Sequence, residues 1–220
     1  MLCFCVAFID CGDTGSHRGR RVADTISTAR RPEPRTFLFE CDDSYTFVAR
    51  SEGDRMWLFL PDTTIALPHV PAASGARYSD GTTTFWSRGE EARLETASGE
   101  TRTCRNNHAR AIWEHAKLNG VDFRAVGNEP GWHLEISSGL QSILLVTDYG
   151  ATRFEFPYTE PMSGDGSGET VYRTKTDDHE LTILLVGGGC HDTMSGEEFE
   201  TGVTIHIDGR ELRGCGRALH

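Results

Sequence analysis

A chain of 220 residues with 37% hydrophobic side chains is long enough for one large domain or two small ones, each with a modest core. Its formal net charge is -11, which disfavours binding to nucleic acid or to an anionic membrane and favours a cationic partner. Many short apolar runs among the 24 glycines favour an all-β protein over a helical one.

The first 36 residues carry no pattern of a folded domain. The apolar run MLCFCVAFIDC is too short to span a bilayer and resembles the end of a secretory signal. Cys11 is therefore a candidate for lipid attachment to the outer membrane, although such a signal requires a small residue where Asp10 stands. We assign residues 1–36 as an apolar start and a flexible tether, a possible signal remnant.

Residues 37–105 show short strands separated by turns, which is typical of a small antiparallel β-barrel or sandwich. Five segments of β-forming residues carry this prediction: YTFVAR (45–50), MWLFL (56–60), TTIAL (63–67), TTTFW (82–86) and ARLET (92–96).

The stretch NNHARAIWEHAKLNG at 106–120 predicts a helix of three turns. Asn106 or Asn107 can cap its first turn, and Asn119 followed by Gly120 ends it. We expect this helix to link two β domains and to pack on one of them.

Residues 121–220 predict a second antiparallel β domain of unknown function. Its strands are WHLEI (132–136), SILLV (142–146), TRFEF (152–156), TVYRT (170–174), LTILLV (181–186) and VTIHI (203–207). Asp208 followed by Gly209 predicts a tight hairpin after the last of these.

Four widely spaced cysteines without a CxxC motif indicate two disulfides in an oxidising compartment. Cys41, Cys104, Cys190 and Cys215 allow three connectivities. Pairing sequential neighbours places one bridge in each half, so we expect Cys41–Cys104 and Cys190–Cys215.

The chain offers no convincing catalytic, metal or cofactor site. The nine histidines show neither HxH nor HExxH spacing, and the glycines of VGGGC (186–190) lack the lysine of a phosphate loop. Cys190, His191 and Asp192 stand in a row, but neighbours on a strand point to opposite faces. We therefore expect a binding protein rather than an enzyme.

One hairpin places a serine and an arginine on the same edge. Asp80 and Gly81 predict its turn. A two-residue loop would set Ser74 opposite Ser87, and a three-residue loop would set it opposite Arg88. An ordinary surface pair is the alternative interpretation.

The segment VPAASGARYSDGTTTFWSRGEEARLE (70–95), with Cys41 before it and Cys104 after it, resembles the family of membrane-bound lysozyme inhibitors of c-type lysozyme (MliC). The shared elements are a cysteine before an aromatic strand, an SGARY-like loop, a W-x-K-G-x-x-A turn and a second cysteine. The resemblance implies a small β-barrel, a Cys41–Cys104 disulfide, and a periplasmic or outer-membrane location in a Gram-negative bacterium.

The resemblance also implies which residues bind lysozyme. Ser74 of the SGARY loop and Arg88 of the tryptophan turn correspond to the residues that enter the lysozyme cleft, and Gly75, Arg77 and Tyr78 belong to the same loop. The family usually has lysine at the position of Arg88. Tyr78 has a second interpretation, as a brace of the hairpin or the core.

The second half resembles an uncharacterised β domain of bacterial envelope lipoproteins. The similarity lies in FRAVGNEPGWHLEI (123–136) and in a C-x-D-x-M-S-G element followed by GCG, and Gly131 replaces a phenylalanine of that pattern. Asn128, Glu129 and Trp132 are candidates for a ligand pocket, with turn and core roles as the alternative. We therefore predict a c-type lysozyme inhibitor, and the competing hypothesis is an envelope binding or structural module that acts through its second half.

Overall fold

The structure, a computed structural model, describes residues 33–164 and 168–220. Cys11 and most of the tether assigned to 1–36 lie outside the described residues. Within these two ranges, no helix is long and apolar enough to cross a membrane.

The first eight strands form a closed antiparallel barrel. They are β1 (Arg35–Cys41), β2 (Thr46–Glu52), β3 (Arg55–Phe59), β4 (Thr64–Val70), β5 (Ala76–Ser79), β6 (Thr84–Arg88), β7 (Glu91–Glu95) and β8 (Thr101–Asn106). The barrel closes because β1 pairs with both β2 and β8. Cys41 lies opposite Cys104 in the closing pair, and the two form a disulfide. The predicted barrel is confirmed.

The barrel core follows from the two-residue period of its strands. In β7, for example, Leu94 is buried whereas Arg93 beside it is exposed, because successive side chains point to opposite faces. Inside the barrel the rings of Phe39, Phe47 and Phe85 lie with centroids 5.4 to 6.1 Å apart. Burial of each such ring stabilises the fold by about 1.5–3 kcal/mol.

Helix α1 (His108–Leu118) follows the barrel directly. The side chain of Asn107 caps it by accepting a hydrogen bond from the backbone N–H of Arg110 at 3.1 Å. Gly120 lies just beyond the helix with φ +80°, a left-handed conformation that glycine adopts readily. The predicted helix and both of its ends are confirmed.

The helix packs on both β structures, so the prediction that it packs on one neighbour is wrong. On one side, Nδ1 of His115 lies 3.1 Å from the Thr36 hydroxyl of β1. On the other side, Trp113 is buried with its ring centroid 5.3 Å from that of Phe199 in the second sheet. The helix is covered on two sides because its apolar and polar contact residues lie on different faces.

A chain of hydrogen bonds joins the barrel to this helix. Arg50 Nη2 donates to Oδ1 of Asn119 at 2.7 Å, and Nδ2 of Asn119 lies 2.9 Å from Nε2 of His115. The third link is the contact between His115 and Thr36. Since the asparagine amide donates, Nε2 of His115 accepts and its Nδ1 carries the proton, which is the neutral form of the ring.

The second β structure is a single antiparallel sheet of nine strands. They are β9 (Phe123–Asn128), β10 (Gly131–Ser137), β11 (Ser142–Thr147), β12 (Thr152–Pro157), β13 (Met162–Ser163), β14 (Glu169–Lys175), β15 (Glu180–His191), β16 (Glu198–Ile207) and β17 (Arg210–Ala218). Their spatial order is β12-β11-β10-β9-β17-β16-β15-β14-β13. The predicted second antiparallel β structure is confirmed.

This sheet curls around its own core without closing. Edge strand β12 approaches β14, where the Thr174 hydroxyl donates to the carbonyl of Pro157 at 2.7 Å. Cys190 and Cys215 form a disulfide between β15 and β17. The largest fully buried side chains of this core are Leu134, Ile136, Ile143, Leu145, Leu181, Ile183 and Ile205.

Candidate functional site

The β5–β6 hairpin has a different register from both predicted ones. Ala76 pairs with Ser87 and Ser79 with Thr84, so each residue of β5 faces a position one or two residues further along β6 than expected. The Asp80 carboxylate accepts hydrogen bonds from the backbone N–H groups of Thr82 and Thr83, at 2.9 and 2.7 Å, which stabilises the wider connection. Both predicted registers are therefore wrong.

Ser74 lies just before β5 and does not pair across the hairpin. Its carbonyl accepts a hydrogen bond of 2.8 Å from the indole Nε1 of Trp86. The next residue, Gly75, has φ +69°, and a Cβ there would overlap the carbonyl oxygen of Ser87 and lie 3.3 Å from Cβ of Arg88. Only glycine fits this approach, and it brings Ser74 to the same rim of the barrel as Arg88.

Arg88 is the last residue of β6 and is exposed. Among the residues that the structure describes, its side chain makes no hydrogen bond or ion pair. Two other barrel arginines do have partners: Arg93 lies 2.9 Å from the Glu95 carboxylate, and Arg102 lies 2.8 Å from that of Asp43. The guanidinium of Arg88 is thus available to an external carboxylate.

The turn that follows Arg88 is held by the helix. Nε2 of His108 lies 2.5 Å from a carboxylate oxygen of Glu90, and Nδ2 of Asn106 lies 3.4 Å from the same oxygen. Gly89, between Arg88 and Glu90, has φ +62°. The first turn of α1 therefore fixes the loop that carries Arg88.

Arg77 and Tyr78 point to opposite sides of the barrel wall. Arg77 is exposed and pairs with Trp86, which is 40% exposed, on the outer face of β5 and β6. Residues 71–74, Arg77, Trp86 and Arg93 line an outer groove of about 410 Å³. Ser74 and Arg77 share this groove.

Tyr78 instead faces the interior of the barrel. Its ring lies 5.3 Å from that of His69 and 6.4 Å from that of Phe85, and burial raises the pKa of its hydroxyl. Together with Ser87 it lines a cavity of about 410 Å³ at the mouth of the barrel. The five predicted binding residues therefore lie on a rim (Ser74, Gly75, Arg88), in a groove (Arg77) and in the barrel mouth (Tyr78).

Trp86 and Arg93 also line the outer groove. The sequence favours a brace of the hairpin or core for Trp86, with a lysozyme contact as the alternative. The alternation of strand β6 indicates an outward position, because Trp86 has the same parity as Arg88. Arg93 was not identified from the sequence as a binding residue. Arg93 pairs with Trp86 across β6 and β7, a register that the sequence alone leaves open.

The second half does not assemble a reactive centre from Cys190, His191 and Asp192. Cys190 is bonded to Cys215, Nδ1 of His191 lies 2.9 Å from the Glu198 carboxylate, and Asp192 accepts from Ser195. Over residues 33–164 and 168–220, no three His, Cys, Asp or Glu side chains are grouped to hold a metal ion.

Comparison with known proteins identifies the barrel segment. Residues 39–102 match the model of the family described as membrane-bound lysozyme-inhibitor of c-type lysozyme. This segment is MliC-like. The resemblance found in the sequence is confirmed over this range, which excludes helix α1 and the second sheet.

Two MliC proteins show the extent of the likeness. The membrane-bound lysozyme inhibitor of C-type lysozyme from Yersinia enterocolitica is 38% identical over 66 residues, which are 30% of this chain and 56% of that protein. The chain thus spans little more than half the length of this curated relative. The crystal structure of Pseudomonas aeruginosa MliC in complex with hen egg white lysozyme is 28% identical, with a TM-score of 0.28 over 34% of this chain and 83% of that chain.

Proposed function

We propose that the MliC-like barrel inhibits a c-type lysozyme by placing the side chains of Ser74 and Arg88 in its active-site cleft. The observation that carries this proposal is the family match over residues 39–102, since that family is named for this inhibition. The rim geometry supports it, because Gly75 brings Ser74 close to a guanidinium that has no partner among the described residues.

The chemistry of the two side chains suits such a cleft. A retaining glycosidase holds two carboxyl groups, one protonated as the acid and one ionised. A guanidinium can bind the ionised carboxylate bidentately, and a serine hydroxyl can hydrogen-bond with the other group. Neither side chain offers a glycosidic bond, so the cleft is occupied without turnover.

The barrel supplies rigidity for this insertion. Its strands close on themselves, and the Cys41–Cys104 disulfide crosses the closing pair. A preorganised hairpin loses little conformational entropy on binding, which leaves more of the contact energy as affinity. The net charge of -11 would also accelerate encounter with a basic lysozyme at low salt.

We also propose the wider context of the chain from its relatives. The family name suggests a periplasmic or outer-membrane location, with a lipid on Cys11 as one means of anchoring. The division into a tether (1–36), an inhibitor barrel (37–105), a linker helix (106–120) and a β domain (121–220) stays a prediction. A crevice in the second sheet, described below, favours an additional binding role for that part.

Inhibition of cell-wall lysis tests the central proposal. We expect the purified full chain to block lysis of a Gram-positive cell-wall suspension by hen egg white lysozyme. We expect the double variant Ser74→Ala, Arg88→Ala to lose inhibition while its thermal unfolding is unchanged. Arg88→Lys keeps the charge but loses the bidentate geometry, so we expect it to weaken inhibition by about tenfold or less.

Arg55→Ala is the matched control. Arg55 is an exposed barrel arginine at the start of β3, also without a hydrogen bond or ion pair among the described residues. We expect this variant to inhibit like the unchanged chain. Full inhibition by the Ser74, Arg88 double variant would refute the insertion, and absence of inhibition by the unchanged chain would refute the function itself.

A further inference from the structure

Two separate stretches of the second half meet at one crevice. Asn128 ends strand β9 and Glu129 follows it, whereas residues 190–194 contain the end of strand β15 and the turn after it, more than 60 residues later in the chain. Together with Arg213 on β17 they line a crevice of about 370 Å³. Both stretches belong to the envelope-domain motifs noted in the sequence, and the lysozyme proposal uses neither.

The loop on one side of the crevice is ordered by Asp192. Its carboxylate accepts hydrogen bonds from the Ser195 hydroxyl at 2.6 Å, from the Met194 backbone N–H at 3.2 Å, and from Nδ2 of Asn128. The bond from Ser195 lowers the pKa of Asp192 below its usual value, with Met194 and Asn128 adding to the shift. The loop is therefore fixed, and it presents Met194 with 74% of its surface exposed.

An exposed aromatic ring contacts Asn128, one of the residues that line this crevice. Tyr149 is 81% exposed, and it and Asp148 both have left-handed backbones, with φ of 57° and 54°. Its ring lies on Gly131, where a Cβ would be 2.6 Å from the ring atom Cδ1, and its hydroxyl donates to the Asn128 carbonyl at 3.4 Å. Bulky residues rarely adopt this backbone, and such strain is concentrated at functional sites.

Donors and acceptors face the same space. Glu129 is exposed and makes no hydrogen bond or ion pair with any described residue. Arg213 is bound to Glu211 only through Nε, at 2.6 Å, so its terminal nitrogens are free among the described residues. The crevice thus combines carboxylate acceptors, one guanidinium donor and the exposed side chain of Met194, and the exposed ring of Tyr149 lies against its lining residue Asn128.

We propose that this crevice binds a short, uncharged oligosaccharide. Sugar hydroxyls both donate and accept, which suits Glu129 on one side and Arg213 on the other. The apolar face of a pyranose ring can pack on Tyr149 or Met194. An anionic ligand would be repelled by Glu129 and Asp192, and a purely apolar one would leave these polar groups desolvated without partners. This inference is independent of lysozyme inhibition.

Titration of the full chain with neutral trisaccharides tests the proposal. We would add chitotriose and, separately, maltotriose to isotopically labelled protein and follow amide NMR shifts, with trilysine as a cationic comparison. The expected result is saturable binding of at least one trisaccharide with shifts around Asn128, Asp192 and Tyr149. Absence of shifts with both sugars, or binding of trilysine alone, would overturn it.

Three variants locate the site. Tyr149→Asn keeps a residue that tolerates the left-handed backbone but removes the ring, and Glu129→Gln removes one charged acceptor. We expect each to weaken sugar binding by about tenfold, as is typical for the loss of a hydrogen bond to a charged group or of an aromatic contact. Leu140→Ala, at a residue 64% exposed in the β10–β11 turn, is the control and is expected to bind like the unchanged chain. Unchanged binding by both site variants would also contradict the proposal.

Discussion

The barrel and the second sheet enclose their hydrophobic cores in different ways. Both are curled antiparallel sheets with one disulfide, but the barrel closes through backbone pairing of β1 with β8, whereas the second sheet stays open, with β12 and β13 as its edge strands. The closed structure holds Arg88 at a rim that is fixed by strand register. The open structure builds its crevice from loops that are ordered by the Asp192 hydrogen bonds and by the Cys190–Cys215 disulfide. The closed barrel thus presents a rigid projection, whereas the crevice of the second sheet lies at the ends of its interior strands β9, β15 and β17.

Removal of each disulfide should cause the largest loss of stability, and the two losses compare the barrel with the second sheet directly. Cys41 and Cys104 are separated by 63 residues, and Cys190 and Cys215 by 25. The chain-entropy relation predicts losses of about 4 and about 3.5 kcal/mol for the paired alanine variants. Denaturant unfolding measures both. If the barrel pair instead cost much less than the second pair, β-sheet closure rather than the disulfide would hold the barrel.

Gly75→Ala should give the next largest effect, by disrupting the rim. The new Cβ would overlap the Ser87 carbonyl. The alanine would also have to keep a left-handed backbone, which costs about 1–3 kcal/mol in backbone strain alone. We expect loss of stability together with loss of lysozyme inhibition. Gly81→Ala is the matched control, since Gly81 has φ +93° but no atom within 4 Å of the added Cβ. Equal loss of inhibition in both variants would assign the effect to backbone strain rather than to the displaced rim.

Titration of His115 should have the smallest effect on stability, and it tests the contact of helix α1 with the barrel. Burial lowers the pKa of its imidazole below the usual value, and the positive charges of Arg50 and Arg124 lower it further. The negative charges of Glu135 and Glu33 oppose this shift only in part. The folded protein therefore takes up this proton at a lower pH than the unfolded chain does. The free energy of unfolding should decrease as the pH falls below about 6.5 and level off below the folded pKa.

Protonation would also break the bond from Asn119, because Nε2 of His115 would then be a donor. We expect His115→Gln, which cannot titrate, to show a smaller loss of stability between pH 7.5 and pH 5.5 than the unchanged chain. Urea unfolding at the two pH values measures this difference. An identical loss in both proteins would show that other groups cause the acid sensitivity.

The sequence predicted the strands that alternate cleanly and missed those in which packing overrides the pattern. Strand β9 contains Arg124, which is buried because it pairs with Glu135 and lies over the Trp113 ring at 5.6 Å. Strand β17 contains Gly214 and Gly216, which normally indicate a turn. A Cβ at Gly214 would overlap the Val126 carbonyl, so this glycine serves close packing within the sheet.

At the candidate site, the residue types were predictable but their arrangement was not. The motif identified Ser74 and Arg88, yet the register depended on the hydrogen bonds of Asp80, which a dipeptide turn rule does not include. The contact that covers Gly131 was equally unpredictable from the sequence. The related pattern has phenylalanine there, and in this chain the ring of Tyr149, 18 residues later in the sequence, covers the glycine instead.

The contact between His108 and Glu90 has a practical consequence for the design of shorter fragments of this protein. The family match ends at residue 102, which makes a fragment cut after the barrel an obvious choice. Such a fragment would lose His108 from the turn beside Arg88, and it would lose Asn119, the partner of Arg50, whose side chain is only 10% exposed. A fragment that keeps both contacts therefore has to extend through Asn119.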